Sequence, residues 1–210
     1  MRKPLALLWF LSAAPLAAQD LPKGQFPAGW KVRTDRANES ATEIVFVDMA
    51  PGWHLTTGPA AILYNPATTA SGNYRLESES FLFDPGTRNE AFGVFFGGRD
   101  LEGAGQAYTY FLIRRSGDYL VKRRTGAETP VVVDWTPHPA ILKYDAKGEA
   151  ASTAKNVLAV EIGPEAVRFL VNGQQVTTLQ RTDVDTEGVV GLRVNHGLNL
   201  HVTTLKLQKR

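Results

Sequence analysis

Glu77 and Glu79 are acidic side chains at a spacing that suits chemistry. On a β-strand, residues two apart point to one face, so both carboxylates would stand side by side. Cleavage of a glycosidic bond uses two carboxyl groups roughly 5–10 Å apart, one of them protonated. Arg75 falls on the same face and offers the plainer alternative of an ion pair. If the chain is an enzyme, Glu77 and Glu79 are its catalytic candidates.

A second candidate site lies near the C-terminus. Pairing Asn195 with Asn199 around His196-Gly197-Leu198 closes a hairpin in which Arg193 also meets His201. Val194, Leu200, Leu192 and Val202 then share the opposite, apolar face. Guanidinium and amide groups form paired hydrogen bonds to vicinal hydroxyls or to a carboxylate. Arg193, Asn195, Asn199 and His201 are therefore candidate ligand-binding residues. Aromatic side chains add a third set: Trp53 with His54, Tyr108, Tyr110 and Trp135. Each could stack on the C–H face of a sugar ring, although aromatics in β-sandwiches are commonly core. Of these, Trp53, His54 and Tyr110 are retained as binding candidates.

Other chemistries are excluded or unsignalled. The chain lacks cysteine, which removes disulfides, thiol nucleophiles and Cys-ligated metals. His196 and His201 would point to different faces of the hairpin, against a shared zinc. Asp84-Pro85-Gly86 and Asp100-Leu101-Glu102-Gly103 are oxygen-bearing loops without the spacing of a calcium loop. No metal or cofactor is expected, Ca²⁺ being possible but unsignalled. There is no Gly-x-Ser-x-Gly, phosphate loop or dinucleotide fingerprint. The formal net charge is +2, and Arg2 and Lys3 account for it, so the remainder is formally neutral. A nucleic-acid partner, which needs a concentrated positive field, is not expected. The run Lys122-Arg123-Arg124 reads as a solvated strand end.

The elements that must position these residues are strands. The first 18 residues read as a signal peptide: basic Arg2 and Lys3, an apolar run from Leu5 to Leu11, then small residues before Gln19. That apolar run is too short to span a bilayer, and no membrane anchor is expected. Residues 19–41 read as an arm or first edge segment, and 42–210 as one domain. From Thr42 onward, thirteen short β-rich runs alternate with Gly, Pro and Asn, and none shows helical periodicity. Asn172-Gly173 suits a type I′ hairpin, which needs positive φ at both central residues. It pairs Val171 with Gln174, Phe169 with Val176 and Val167 with Thr178. A turn at Gly163-Pro164 pairs Ile162 with Glu165, Val160 with Val167 and Leu158 with Phe169. Both registers put Leu158, Val160, Ile162, Val167, Phe169, Val171 and Val176 on a core face. Thr203-Thr204 is expected to hold a bulge, because Leu205 and Leu207 fall out of phase with Leu200 and Val202.

These patterns carry a resemblance. Asn156-Val157-Leu158-x-Val160-x-Ile162, Val167-x-Phe169-x-Val171-Asn172-Gly173-x-x-Val176 and Gly188-x-x-Gly191-Leu192, closed by a last strand, resemble the C-terminal half of the concanavalin A-like lectin/glucanase superfamily. Tyr74-x-Leu76-x-x-Glu79, Phe92-Gly93-Val94-x-Phe96-Gly97 and Tyr108-x-Tyr110-Phe111 are similar to the front half of its secreted bacterial members. Those include domains grouped with 3-keto-disaccharide hydrolases and laminin G-like modules. The resemblance implies an all-β, two-sheet antiparallel jelly-roll sandwich with a ligand on the concave face of one sheet. Glucanases of the superfamily carry an E-x-D-x-x-E strand; here Glu79 stands in the Asp position and Leu82 in that of the second Glu. The expectation is an exported bacterial domain, periplasmic or extracellular, that binds an oligosaccharide or polysaccharide without catalysis. A glycosidase using paired carboxylates and a structural interaction domain of the envelope are the alternatives.

Overall fold

A computed structural model describes residues 22–144 and 153–210. The expected signal peptide lies outside the described residues. Fourteen strands follow in order: β1 (Lys31–Thr34), β2 (Val45–Asp48), β3 (Trp53–Thr56), β4 (Ala61–Ala70), β5 (Tyr74–Phe83), β6 (Ala91–Arg99) and β7 (Ala107–Arg114), then β8 (Asp118–Thr125), β9 (Val131–Pro137), β10 (Thr153–Ile162), β11 (Ala166–Val171), β12 (Gln174–Gln180), β13 (Gly188–Val194) and β14 (Asn199–Lys209). They form two antiparallel sheets of seven strands. The front sheet runs β1-β4-β13-β6-β7-β8-β9 and the back sheet β12-β11-β10-β5-β14-β3-β2.

The alternation of each strand decides what enters the space between the sheets. Along β5, Tyr74, Leu76, Ser78, Ser80 and Leu82 are buried, while Arg75, Glu77, Glu79, Phe81 and Phe83 are less so and point out. From β10 and β11, Leu158, Val160, Ile162, Val167, Phe169 and Val171 are buried as their alternation requires. The front sheet answers with Phe92, Phe96 and Phe111, the last two packed against Phe169, tilted and edge-on, with centroids 6.2 and 5.2 Å away. Residues of the arm join in: β1 pairs with β4 as an edge strand, and Trp30 sits edge-on to Phe46 and Trp53 at 5.0 Å.

Two registers differ from expectation in an instructive way. The first β10–β11 pair, Ile162 opposite Val167, encloses four residues, 163–166, and Leu158 opposes Val171. The offset is two residues, which leaves every side chain on its expected face. In the next hairpin Val171 opposes Gln174 as expected, with φ of 50° at Asn172 and 79° at Gly173. A bulge between Phe169 and Leu170 then shifts the ladder, so Phe169 opposes Thr177 and Val167 opposes Leu179. The expected irregularity at Thr203-Thr204 is present between Val202 and Thr204.

The largest correction concerns the last two strands. β13 belongs to the front sheet and β14 to the back sheet, so they do not form a hairpin. Residues 195–198 arch over the end of the sandwich instead. Thr57 clamps the arch: its Oγ1 donates to the Asn195 carbonyl and accepts from the Leu198 amide, and its own amide donates to the Leu198 carbonyl. Val194 and Leu200 both face the core, but from opposite sheets. Arg193 and His201 consequently lie on opposite outer faces of the molecule.

The outer face of the front sheet carries a second apolar layer. Ile62, Tyr64, Phe95, Tyr108, Tyr110 and Leu112 are buried there, outside the main core. A loop after β6 folds over it with Leu101, and Arg33 fastens that loop by donating to the carbonyls of Leu101 and Gly103. Gly93, Gly97, Gly98 and Gly191 leave this part of the front sheet without side chains that would crowd it. At Gly97, with φ of 66°, a Cβ would stand 2.3 Å from the Asp185 carbonyl oxygen.

Candidate functional site

The buried layer on the front sheet ends at a recess of about 400 Å³ beside β8 and β9. β7 contributes Tyr110, β8 contributes Leu120 and Lys122, β9 contributes Trp135, β13 contributes Arg193, and the arch brings Asn195. Tyr110 and Lys122 are direct cross-strand partners, so alternation along β8 aims Lys122 outward. Asp35 and Glu90 complete the polar lining.

Arg193 is the organising cation. It is 5% exposed, and its two terminal nitrogens donate to the two oxygens of Asp35 at 2.8 and 2.5 Å. Its guanidinium carbon lies 5.6 Å from the centroid of the Tyr110 ring. Burial works against its charge, but Tyr108 and Asp35 outweigh that and raise its pKa. Its Nε and the buried Oδ1 of Asn195 have no hydrogen-bond partner. Burial pushes the Tyr110 hydroxyl up to about 12, so it stays protonated and can donate. Trp135 is half-buried, its ring 4.2 Å from the Arg114 guanidinium carbon, and Arg114 also pairs with Asp118 at 3.1 Å. Among the described residues Glu90 and Lys122 have no ion-pair partner.

The sequence-derived candidates divide between the two faces. Tyr110, Arg193 and Asn195 meet at this recess. Glu77 and Glu79 do share a face, as their spacing requires, but it is the outer face of the back sheet. There Glu77 is bound by Arg75 at 2.5 Å and Glu79 by Lys155 at 2.7 Å. Hydrogen bonds from Lys155 and Thr203 hold the Glu79 carboxyl below the usual range, opposite to what a proton donor needs. Glu161 on β10 joins the same ion-pair network, through Arg75 at 2.5 Å and Arg210 at 2.9 Å. His201 and His54 are cross-strand partners on that face, and His201 is bonded to the Pro51 carbonyl at 2.9 Å. Asn199 heads the same outward row at the start of β14. Trp53 turns the other way and packs against Trp30 and Phe46 at the edge of the core. The expected polar cluster of Arg193, Asn195, Asn199 and His201 does not exist as one patch, because the arch separates its halves.

Asp35 is the residue that reasoning from the sequence missed. It sits in the arm, after β1, where no periodicity distinguishes it. Lys122, read as part of a solvated strand end, lines the recess instead. Among the described residues no group of three His, Asp or Glu stands close enough to hold a metal ion, and no helix is long and apolar enough to cross a membrane.

Comparison of the coordinates with solved structures settles the architecture. The carbohydrate-binding module CBM66 from Bacillus subtilis superposes with a TM-score of 0.62 at 13% identity, over 86% of this chain and 96% of that one. The β-glucanase of Bacillus licheniformis gives 0.57 at 13% identity, over 90% and 97%. The fold is the concanavalin A-like jelly roll. A Bacteroides ovatus GH16 protein of the mixed-linkage glucan locus, in complex with its G4G4G3G product, is a further jelly roll of this kind, at 0.56 and 7% identity over 85% and 94%. No protein-family model matches the chain, and neither does any curated protein. The jelly roll is thus established by shape; its site has to be read from its own residues.

Proposed function

We propose that this jelly roll is an exported, lectin-like domain that holds a glycan at the recess beside β8 and β9 and does not cleave it. The observation that carries the reading is the composition of the recess. A half-exposed indole, the Tyr110 hydroxyl and two charged side chains without ion-pair partners, Glu90 and Lys122, converge on one cavity. An aromatic face and a few convergent polar groups are what a ring with hydroxyls on its edge requires. Carbohydrate-binding and glucanase jelly rolls of similar shape support a sugar as the class of ligand. The leader-like first 18 residues support export to the periplasm or medium.

The carboxylates support binding rather than hydrolysis. Glu77 and Glu79 are engaged with cations on the opposite face. At the recess, both oxygens of Asp35 accept from Arg193, leaving Glu90 without a second free carboxyl group. Glu90 is the one observation that favours a hydrolase, since it is an unpaired carboxylate in a cavity. The test is a glycan array probed with residues 19–210 and with Trp135→Ala, alongside an assay for new reducing ends. Binding of wild type that Trp135→Ala loses, with no new reducing ends, is the expected result. Release of reducing ends that Glu90→Gln abolishes would establish the hydrolase; binding indifferent to Trp135 would move the site elsewhere.

A further inference from the structure

The recess and its rim hold more positive charge than their own ion pairs use. Lys122 and Arg193 line the recess with Asp35 and Glu90, Arg33 of β1 and Arg124 of β8 stand beside it on the same outer face, and Glu39 lies 3.6 Å from the lining His196. Lys31 and Glu102 beside them cancel each other at 2.6 Å, as do Arg114 and Asp118. Arg193 takes Asp35. Arg33 donates to the carbonyls of Leu101 and Gly103, and Arg124 to those of Gly126 and Asp35. Carbonyl oxygens fix a guanidinium in place but do not neutralise it, so both arginines keep full charge. Lys122 has neither a hydrogen bond nor an ion pair among the described residues. Burial pushes the hydroxyl of Tyr108 beneath them up, and Arg193, Arg124 and Arg33 offset that only in part, with Asp35 opposing them. Apart from Arg2 and Lys3 the chain is formally neutral, so this excess is local and not a reflection of net charge.

We propose that the ligand of this site is an anionic glycan, one bearing carboxylate or sulfate groups, with its acid group taken by Lys122 and Arg124. The inference rests on the lectin-like reading above and names its ligand class. A charged group held by preformed cations makes the stronger kind of hydrogen bond, and Arg124 is already oriented for it by its carbonyl partners. Glu90 remains as an acceptor for neutral hydroxyls of the same chain. An extended polyanion such as duplex DNA is disfavoured because the unpaired Lys122 stands beside Trp135 in a recess that two carboxylates, Asp35 and Glu90, also line.

Affinity electrophoresis of residues 19–210 through gels containing polygalacturonate, alginate or dextran sulfate, with laminarin, galactan and dextran as uncharged arms, tests it. Retardation by at least one acidic polymer is expected, and the arms distinguish carboxylate from sulfate. Affinity should fall about tenfold with Lys122→Ala, the loss of one charge-assisted bond. It should fall comparably when NaCl is raised from about 20 to about 300 mM, as screening shortens the reach of exposed charge. Retardation by uncharged polymers alone overturns the inference and leaves the lectin reading standing. No retardation in any gel, with a blank array, sinks both. Equal binding of a DNA duplex, or binding that Lys122→Ala leaves unchanged, also overturns it.

Discussion

Removing the Arg193 guanidinium should destabilise the fold, because it is half of a buried ion pair with Asp35. The side chain is buried, bidentate to Asp35, and packed beside Tyr110. Breaking a buried pair by removing one partner costs about 3–5 kcal/mol, because the remaining charge is stranded. Asp35 keeps partial exposure, its side chain being 24% accessible, so water recovers some of that cost. Roughly 2–4 kcal/mol is the discounted expectation for Arg193→Met. For a domain of this size that corresponds to a fall of roughly 5–15 °C in Tm. Asp35→Leu should cost a similar amount, and the double variant Asp35→Leu/Arg193→Met should recover much of it, since no orphaned charge remains. Urea unfolding of the four proteins measures the coupling directly. A Tm for Arg193→Met within about a degree of wild type, or additive single losses, would refute the reasoning.

Three other outcomes follow from the same coordinates. Asn156 is buried, accepting from the Leu142 amide and donating to the Leu142 carbonyl, so Asn156→Ala should cost about 1–3 kcal/mol and show in chemical denaturation. Gly173→Val should destabilise by about 1–2 kcal/mol from backbone strain at φ of 79° alone, because nothing lies within 4 Å of the added Cβ; a Tm unchanged from the parent contradicts it. Burial and, secondarily, the neighbouring His201 hold His54 below the ordinary imidazole value of 6.5. Its neutral form is the folded form, so its contribution is complete above that pH and is lost as pH falls below it. Stability measured from pH 8 to 5 should decline more steeply in wild type than in His54→Gln.

The fold was legible because alternation is read strand by strand and needs no partner. Leu158, Val160, Ile162, Val167, Phe169 and Val171 occupy their expected face even though the loop between them is two residues longer than assumed. Partner identity was less legible. Val194 and Leu200 must face the core whether the chain turns back within one sheet or arches to the other, so the same residues permit both. What separates the cases is Thr57, 138 residues before Asn195, which clamps the arch and leaves no local trace. The candidate site suffered for that reason: Arg193 and Asn195 were correctly paired with each other and wrongly with Asn199 and His201. Asp35 and Glu90 were harder still, since each reaches the recess from a segment whose own pattern says nothing of a cavity. Trp135 and Tyr110 stood out by type, but only the front sheet's order brings them to one end.

The central claim is that ligand is held on the front face, beside Trp135, and not on the back face beside His201. Isothermal titration of the best ligand from the array into wild type, Trp135→Ala and His201→Ala decides between the faces. Trp135→Ala should weaken binding about tenfold or more, the usual cost of truncating a central aromatic anchor. His201→Ala should bind as wild type does. Loss of binding in His201→Ala with Trp135→Ala unaffected would contradict the account and place the site on the opposite sheet.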